Sequence, residues 1–213
     1  MSFLKWACLL VAVVLAIAAL VPVVVTIVDN QQARKNAALL SQGAVQDSAG
    51  SRAAVVYYSR SGNTALMAQR IAQRLHARLY RLEASEYHVG LLGWVRAMAD
   101  ARKHEAVISP GAMDLSAYGS IYLGSPIWLY SPAPPIWQFV ELNRFDNKHV
   151  VLFNTFNSQF KPEYIEAFRA RVMERGARSF EHRYIRRGRM GQQLSTEELL
   201  QAVDAMWPAS SPR

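Results

Sequence analysis

Ser59-Arg60-Ser61-Gly62-Asn63-Thr64 places three hydroxyls, a glycine and an amide between an apolar β-branched run and an amphipathic one. A turn of this kind into a helix presents unpaired backbone N–H groups and the positive end of the helix dipole. The hydroxyls of Ser59, Ser61 and Thr64 add further donors. The chemistry this suits is the holding of an anion, a phosphate above all. The segment lacks the lysine of a P-loop and the GxGxxG spacing of dinucleotide folds. Triphosphate hydrolysis and pyrophosphate gripping are thereby disfavoured, which leaves a terminal phosphate monoester as the expected guest. The plain alternative is a capped helix that holds no ligand.

Other residue types narrow the chemistry further. His76, His88, His104, His149 and His182 show no metal-ligand spacing with one another or with a cysteine. No Gly-x-Ser-x-Gly elbow supports hydrolase chemistry. The single cysteine, Cys8, lies within an apolar run and excludes a disulfide-stapled fold.

For the loop to work, a strand must lead into it and a helix must leave it. Ala53–Tyr58 supplies the strand, and Ala68, Ile71, Ala72, Leu75 and Leu79 fall at helical spacing after it. A short strand is expected near Leu79–Leu82 and a helix in the second half of 89–105. The stretch "GLLGWVRAM" within that region reads as a lid, as a membrane-touching segment through Leu91, Leu92 and Trp94, or as a helix packed on the sheet. A buried strand over Ser120–Leu123, ending at Gly124, precedes a proline-started helix carrying Ile136, Trp137, Phe139 and Val140. A strand over His149–Phe153, a helix over about Pro162–Glu174, a strand near Phe180–Ile185 and a last helix opened by Ser195 complete the series. Strands alternating with helices mean an α/β fold with five parallel strands and helices on both faces. Ligands of such sheets sit at the carboxyl ends of the strands, where loops 59–64, 124–131 and 154–158 would meet.

Set in that frame, "YYSRSGNTALMAQRIA" resembles the Ser/Thr-x-Ser/Thr-Gly-x-Thr phosphate loop of the flavodoxins. "YLGSPIWLYSPAPPIWQFV" resembles the Gly-x-Pro-x-Trp stretch of flavodoxin-like FMN proteins. The resemblance covers about residues 53–206. It implies a flavodoxin-like doubly wound five-stranded parallel sheet of order 2-1-3-4-5 and noncovalent FMN, with the phosphate on Ser59, Arg60, Ser61, Gly62, Asn63 and Thr64. Pro126, Ile127, Trp128, Leu129 and Tyr130 would then run along the ring, with Trp128 or Tyr130 stacking on it, a contact of about 1 kcal/mol. Without its loop context, Trp128 would be read as a core tryptophan. Asn154, Thr155, Phe156 and Asn157 would lie at the ring edge, the two asparagines offering hydrogen bonds.

Two departures from the family bear on function. Flavodoxin-like proteins commonly carry a glycine after the tryptophan, where this chain has Leu129 and Tyr130, and the loop after the fourth strand is also poor in glycine. Only glycine turns freely to positive φ, so a flexible peptide beside the flavin is not expected, which favours two-electron over one-electron chemistry. Flavodoxins that shuttle electrons are typically acidic, whereas this chain has a net charge of +8. Either its partner is acidic, or its basic face rests on lipid headgroups while the flavin edge meets a quinone-like acceptor in the membrane. The expected function is a membrane-anchored FMN oxidoreductase with NAD(P)H as a candidate donor. The alternatives are a tethered electron carrier that is not an enzyme and a flavin-free binding module.

The membrane enters through the N-terminus. From Trp6 to Val28 run 23 residues in which only Pro22 and Thr26 interrupt an apolar series, a helix of about 34 Å against a hydrocarbon core of roughly 30 Å. A cleaved signal peptide would need a shorter apolar region and a small-x-small site. The expected organisation is a single transmembrane anchor over 1–28, a polar tether over 29–52 and an FMN-binding domain over 53–213. Lys5 opposes Arg34 and Lys35, so charge leaves the orientation open; the supply of FMN and nicotinamide favours the cytoplasmic face. Between Lys161 and Arg189, nine Lys or Arg stand against four Glu, which suits phosphate-bearing ligands or an anionic lipid surface. Solvated helix faces are the plain alternative, and with an anchor present no nucleic-acid partner is expected.

Overall fold

Short apolar runs become strands and amphipathic runs become helices, in the alternation the sequence predicts. The computed structural model describes residues 2–42, 50–188 and 192–208. The elements are α1 (Ser2–Gln42), β1 (Ala53–Tyr58), α2 (Asn63–Leu75), β2 (Arg78–Leu82), α3 (Leu91–Asp100), β3 (Ser120–Trp128) and β4 (Ser131–Pro132). They continue with α4 (Pro134–Leu142), β5 (His149–Phe156), α5 (Pro162–Glu174), β6 (Ser179–Arg186) and α6 (Thr196–Met206). Five strands pair in parallel in the order β2-β1-β3-β5-β6, and β4 adds a short antiparallel pairing to β3. Without β4 in the count the order is the predicted 2-1-3-4-5; the two-residue sixth strand is the difference.

Alternation along the strands sends side chains to two separate layers. Val56, Ile121, Leu123 and Leu152 pack with Ile136, Trp137, Phe139 and Phe168 on one face of the sheet. Val55, Val151, Phe153 and Ile185 pack with Leu66, Ile71, Leu199 and Val203 on the other. Each such large side chain, fully buried, contributes about 1.5–3 kcal/mol. Helix α6 opens on a capping box in which Ser195 Oγ accepts from Glu198 N–H at 3.1 Å and Glu198 Oε2 accepts from Ser195 N–H at 2.6 Å.

Strands β3 and β5 run further than expected. Gly124 does not end β3. It sits inside the sheet, where an added Cβ would come 2.3 Å from Phe153 Cζ and 2.8 Å from Tyr57 Cβ, so this glycine serves packing. Pairing then continues through Ser125↔Asn154 and Pro126↔Thr155, so much of the two expected loops is strand end, held to fixed register.

The N-terminal region differs most. Residues 29–42, expected as tether, continue α1 and dock on the domain, where Asn36 is fully buried and Leu40 packs on the α2/α6 layer. This stretch has no regular apolar stripe, because a buried amide and a few contacts hold it rather than an amphipathic face. The remaining tether residues 43–49 lie outside the described residues. The apolar run 6–28 also lies in α1, but the side chains of 15–19, 21 and 22 lie outside the description. Among the described residues, no helix is long and apolar enough to cross a membrane. The expected span thus rests on the sequence alone.

Candidate functional site

Strand β1 delivers the chain to Ser59 at the carboxyl edge of the sheet, and the loop must turn into α2 within four residues. Gly62 permits this with a φ of 92°, in the left-handed region. Its N–H donates to Ser59 Oγ at 3.1 Å, closing the loop on itself. Among the described residues no side chain caps α2. Its first N–H groups therefore remain available for an anion at the positive end of the helix dipole.

Three strand ends converge on one cavity of about 230 Å³. Ser59, Arg60, Ser61, Asn63 and Thr64 come from the first loop, Pro126, Ile127 and Trp128 from β3, and Thr155, Phe156, Asn157 and Ser158 from β5 and its exit. The hydroxyls of Thr64 and Thr155, both buried, meet at 2.8 Å and tie the first loop to the third. Val25 and Asp29 of α1, with Trp94 and Met98 of α3, close another side. Ser158 lies in the expected third loop, whereas these four residues were not anticipated as lining. The α3 pair carried a signal in "GLLGWVRAM"; α3 packs on the site while Leu92 is 76 % exposed on its outer side.

Not every expected residue reaches the cavity. Gly62 lies behind it, against Asn36. Asn154 is fully buried and engaged at both ends of its amide: Nδ2 donates to Ser125 O at 2.7 Å, and Oδ1 lies 2.9 Å from His182 Nε2. It locks β3, β5 and β6 together instead of meeting a ring edge. Burial pushes the His182 pKa down to about 4, so the ring is neutral at neutral pH. Because the Asn154 oxygen can only accept, His182 Nε2 carries the hydrogen.

Trp128 lines the cavity, yet it is only 8 % exposed, and its ring stands edge-on to Tyr58 at 5.7 Å and Tyr87 at 5.2 Å. Most of its surface belongs to the core, so the plain reading of this residue holds alongside its place in the wall. Leu129 and Tyr130 lie outside the lining, at the tip of the β3–β4 hairpin. Their φ values are 39° and 79°, so the missing glycine did not prevent positive φ. A two-residue hairpin turn with both central φ positive is of the I′ kind, which normally takes Asn-Gly. Two ordinary side chains there cost about 1–2 kcal/mol each. Lys161 holds the turn: its N–H donates to Tyr130 O at 3.1 Å and its ammonium lies 5.5 Å from the Tyr130 ring centre.

Arg60 borders the cavity without offering it a free charge. Its guanidinium pairs with Asp29 and donates to Gly90 O at 3.1 Å, which fastens α1 and the start of α3 to the loop. The basic stretch 161–189 is likewise largely paired. Arg169 with Glu166, Arg171 and Arg175 with Glu141, and Arg183 with Glu181 form ion pairs, while Arg189 lies outside the described residues. Solvated, ion-paired faces account for most of it.

A broader groove of about 750 Å³, bordered by Glu86, Arg96, Asp100, Lys103, His104 and Glu141, lies beside α3 and α4. Arg96 and Lys103 both pair with Asp100 at 2.7 Å within it. It gathers none of the three strand-end segments, so the smaller cavity is the candidate site.

A doubly wound sheet with an uncapped strand-to-helix turn at its carboxyl edge, and apolar and aromatic walls beside that turn, defines a phosphate-binding protein of the flavoprotein class. The chain belongs to the flavodoxin family, whose model matches residues 52–171. No curated protein matches the chain. Among solved structures, a Bacteroides uniformis protein described as a flavoprotein is 21 % identical, with a TM-score of 0.55 over 72 % of this chain and 97 % of its own. A flavoprotein from Lactobacillus acidophilus in complex with FMN is 23 % identical, with a TM-score of 0.50 over 62 % of this chain and 93 % of its own. These likenesses show the fold. FMN, which the resemblance implies, is the family's cofactor, and the residues present fit it: uncapped N–H groups and hydroxyls for its phosphate, and an apolar cleft for its ring.

Proposed function

We propose that this chain is a membrane-tethered flavodoxin-like oxidoreductase that binds FMN and passes electrons to a quinone-like acceptor at the lipid surface, with NAD(P)H as donor. The observation that carries the reading is the meeting of the first loop, the end of β3 and the end of β5 around one cavity that α1 also walls. Bound FMN would supply the redox chemistry; the chain binds it, orients it and excludes water. Ser59, Ser61, Asn63, Thr64 and the N-terminus of α2 would hold the phosphate. Ile127, Trp128 and Phe156 would cover the ring, and Trp94 and Met98 would limit access from the α3 side.

The membrane part rests on the run from Trp6 to Val28. Asp29, the first residue after that run, already lines the cavity, so an anchor ending there would hold the site at headgroup level. The exposed Leu91, Leu92 and Val95 of α3 lie on the helix next to α1, in keeping with contact at such a surface. An acceptor dissolved in lipid then has a short route to the flavin edge.

Full-length protein in phospholipid vesicles, supplied with FMN, NADH or NADPH and a lipid-soluble quinone, tests this reading. Quinone reduction at the rate of pyridine-nucleotide oxidation is the expected result. A large, stable one-electron-reduced form with no steady-state turnover would make the chain an electron carrier instead. The domain is placed on the cytoplasmic face, and a carboxyl-terminal reporter that works only when exported would overturn that placement by becoming active.

A further inference from the structure

Arg187 follows β6 and is only 4 % exposed. Its Nη1 donates to Asn63 Oδ1 and its Nη2 donates to Thr196 Oγ1 at 3.3 Å, while its Nε finds no partner among the described residues. No carboxylate pairs with it among those residues, and burial alone pushes its pKa down. The other arginines near the site are different: Arg60 pairs with Asp29, and Arg70 and Arg74 with Asp204. A buried guanidinium without a counter-ion is strongly disfavoured. This one also stands at the first residue of α2, where the helix dipole is itself positive. Two positive ends converge on the same turn, and only an anion at that turn balances them.

The hydrogen bonds indicate how the charge is used. Asn63 Oδ1 accepts from Arg187 on one side and from Asn36 Nδ2, at 2.9 Å, on the other. With its oxygen held by two donors, the amide cannot flip. Its Nδ2 makes no hydrogen bond among the described residues, and Asn63 lines the cavity.

We propose that Arg187 is a positioning residue for the cofactor's phosphate: it fixes the Asn63 amide so that its NH₂ group donates to a phosphate monoester on the α2 turn, and it supplies that dianion's buried counter-charge. The assignment rests on the FMN reading for the ligand's identity, but the anion site itself is read from Arg187 and Asn63. The sequence offered no signal for it beyond one arginine in a basic stretch.

The test compares FMN with riboflavin, which lacks the phosphate, on the full-length chain and its Arg187→Gln and Arg187→Lys variants. Arg187→Gln is expected to weaken FMN about tenfold or more, the worth of a charge-assisted contact, and to leave riboflavin binding unchanged. Arg187→Lys keeps the charge and should retain part of the FMN affinity. A merely structural clamp between the loop and α6 would weaken both flavins in the same proportion, and that result overturns the proposal, as does undiminished FMN binding by Arg187→Gln. Inorganic phosphate provides an arm without flavin: it should raise the melting temperature of the flavin-free wild-type chain and not that of Arg187→Gln. Equal stabilisation of the two contradicts the assignment. A wild-type chain that binds neither flavin but is stabilised by phosphate through Arg187 would sink the FMN reading alone.

Discussion

Asn36 of α1 donates its side-chain amide to the carbonyl oxygen of Ser61, 25 residues further along, at 2.8 Å. The same Nδ2 reaches Asn63 Oδ1 at 2.9 Å, and Gln32 Nε2 donates to Asn36 Oδ1 at 2.9 Å. The N-terminal helix is thereby fastened to the back of the phosphate turn. Helix α1 and the candidate site form one unit, and cofactor binding should report on the helix's attachment.

Replacing Asn36 with alanine leaves the Ser61 carbonyl without this partner and frees one side of the Asn63 amide. The loss of a buried hydrogen bond of this kind costs about 1–3 kcal/mol. FMN affinity should fall by about tenfold or more, and residues 29–42 should become sensitive to limited proteolysis in the variant alone. Flavin fluorescence titration beside a proteolysis time course checks both, and unchanged protection of α1 would contradict the docking.

Gly62 combines a φ of +92° with the approach of Asn36 Cβ to 2.5 Å from an added Cβ. Gly62→Ala meets both obstacles at once, and a destabilisation of about 2 kcal/mol or more is expected. Urea unfolding of the flavin-free chain measures this. A loss below about 0.5 kcal/mol, the range of an ordinary surface change, would show that the turn has another conformation.

The hairpin tip offers a change in the opposite direction. Leu129 and Tyr130 both hold positive φ, and the double substitution Leu129→Asn with Tyr130→Gly installs the residues an I′ turn prefers. Relief of strain exceeds the lost Tyr130–Lys161 contact, so a gain of about 1 kcal/mol is expected. A melting temperature below the parent's would contradict the strain assignment.

His182 ties stability to pH. Its folded pKa, pushed down to about 4 by burial, lies below the ordinary 6.5, so the unfolded chain binds the proton first as pH falls. The contribution is fully present above about pH 6.5 and is lost progressively as the pH falls towards 4. Discounted for partial exposure, the loss is about 2 kcal/mol. His182→Gln keeps a donor to Asn154 but has no charge to gain, so its stability should fall less than the parent's between pH 6.5 and 4. Parallel pH profiles of parent and variant would remove this role from His182.

What the sequence made legible follows local physics. The β-branched run before Ser59, the periodicity after Thr64, the prolines at the start of α4 and Ser195 before α6 each act within a few residues, and their elements formed where expected. Gly124 was misread because its reason for being glycine lies in Phe153 and Tyr57, which reach it only across paired strands. That the Asn154 amide is engaged within the sheet was not foreseen for a similar reason: its partners, Ser125 and His182, belong to two neighbouring strands. Asn36, Asp29 and Arg187 came to the site through tertiary packing of α1 and the exit of β6, and no spacing in the chain announces such meetings.

The turn from Ser59 to Thr64 and the walls beside it are expected to hold FMN. Equilibrium titration of the full-length, flavin-free chain with FMN, followed by flavin fluorescence and by the absorbance of the washed complex, tests it most directly. One FMN per chain, retained through washing with a dissociation constant in the micromolar range or below, is the expected result. A chain that folds, keeps its melting transition and still takes up no FMN at such concentrations would contradict it.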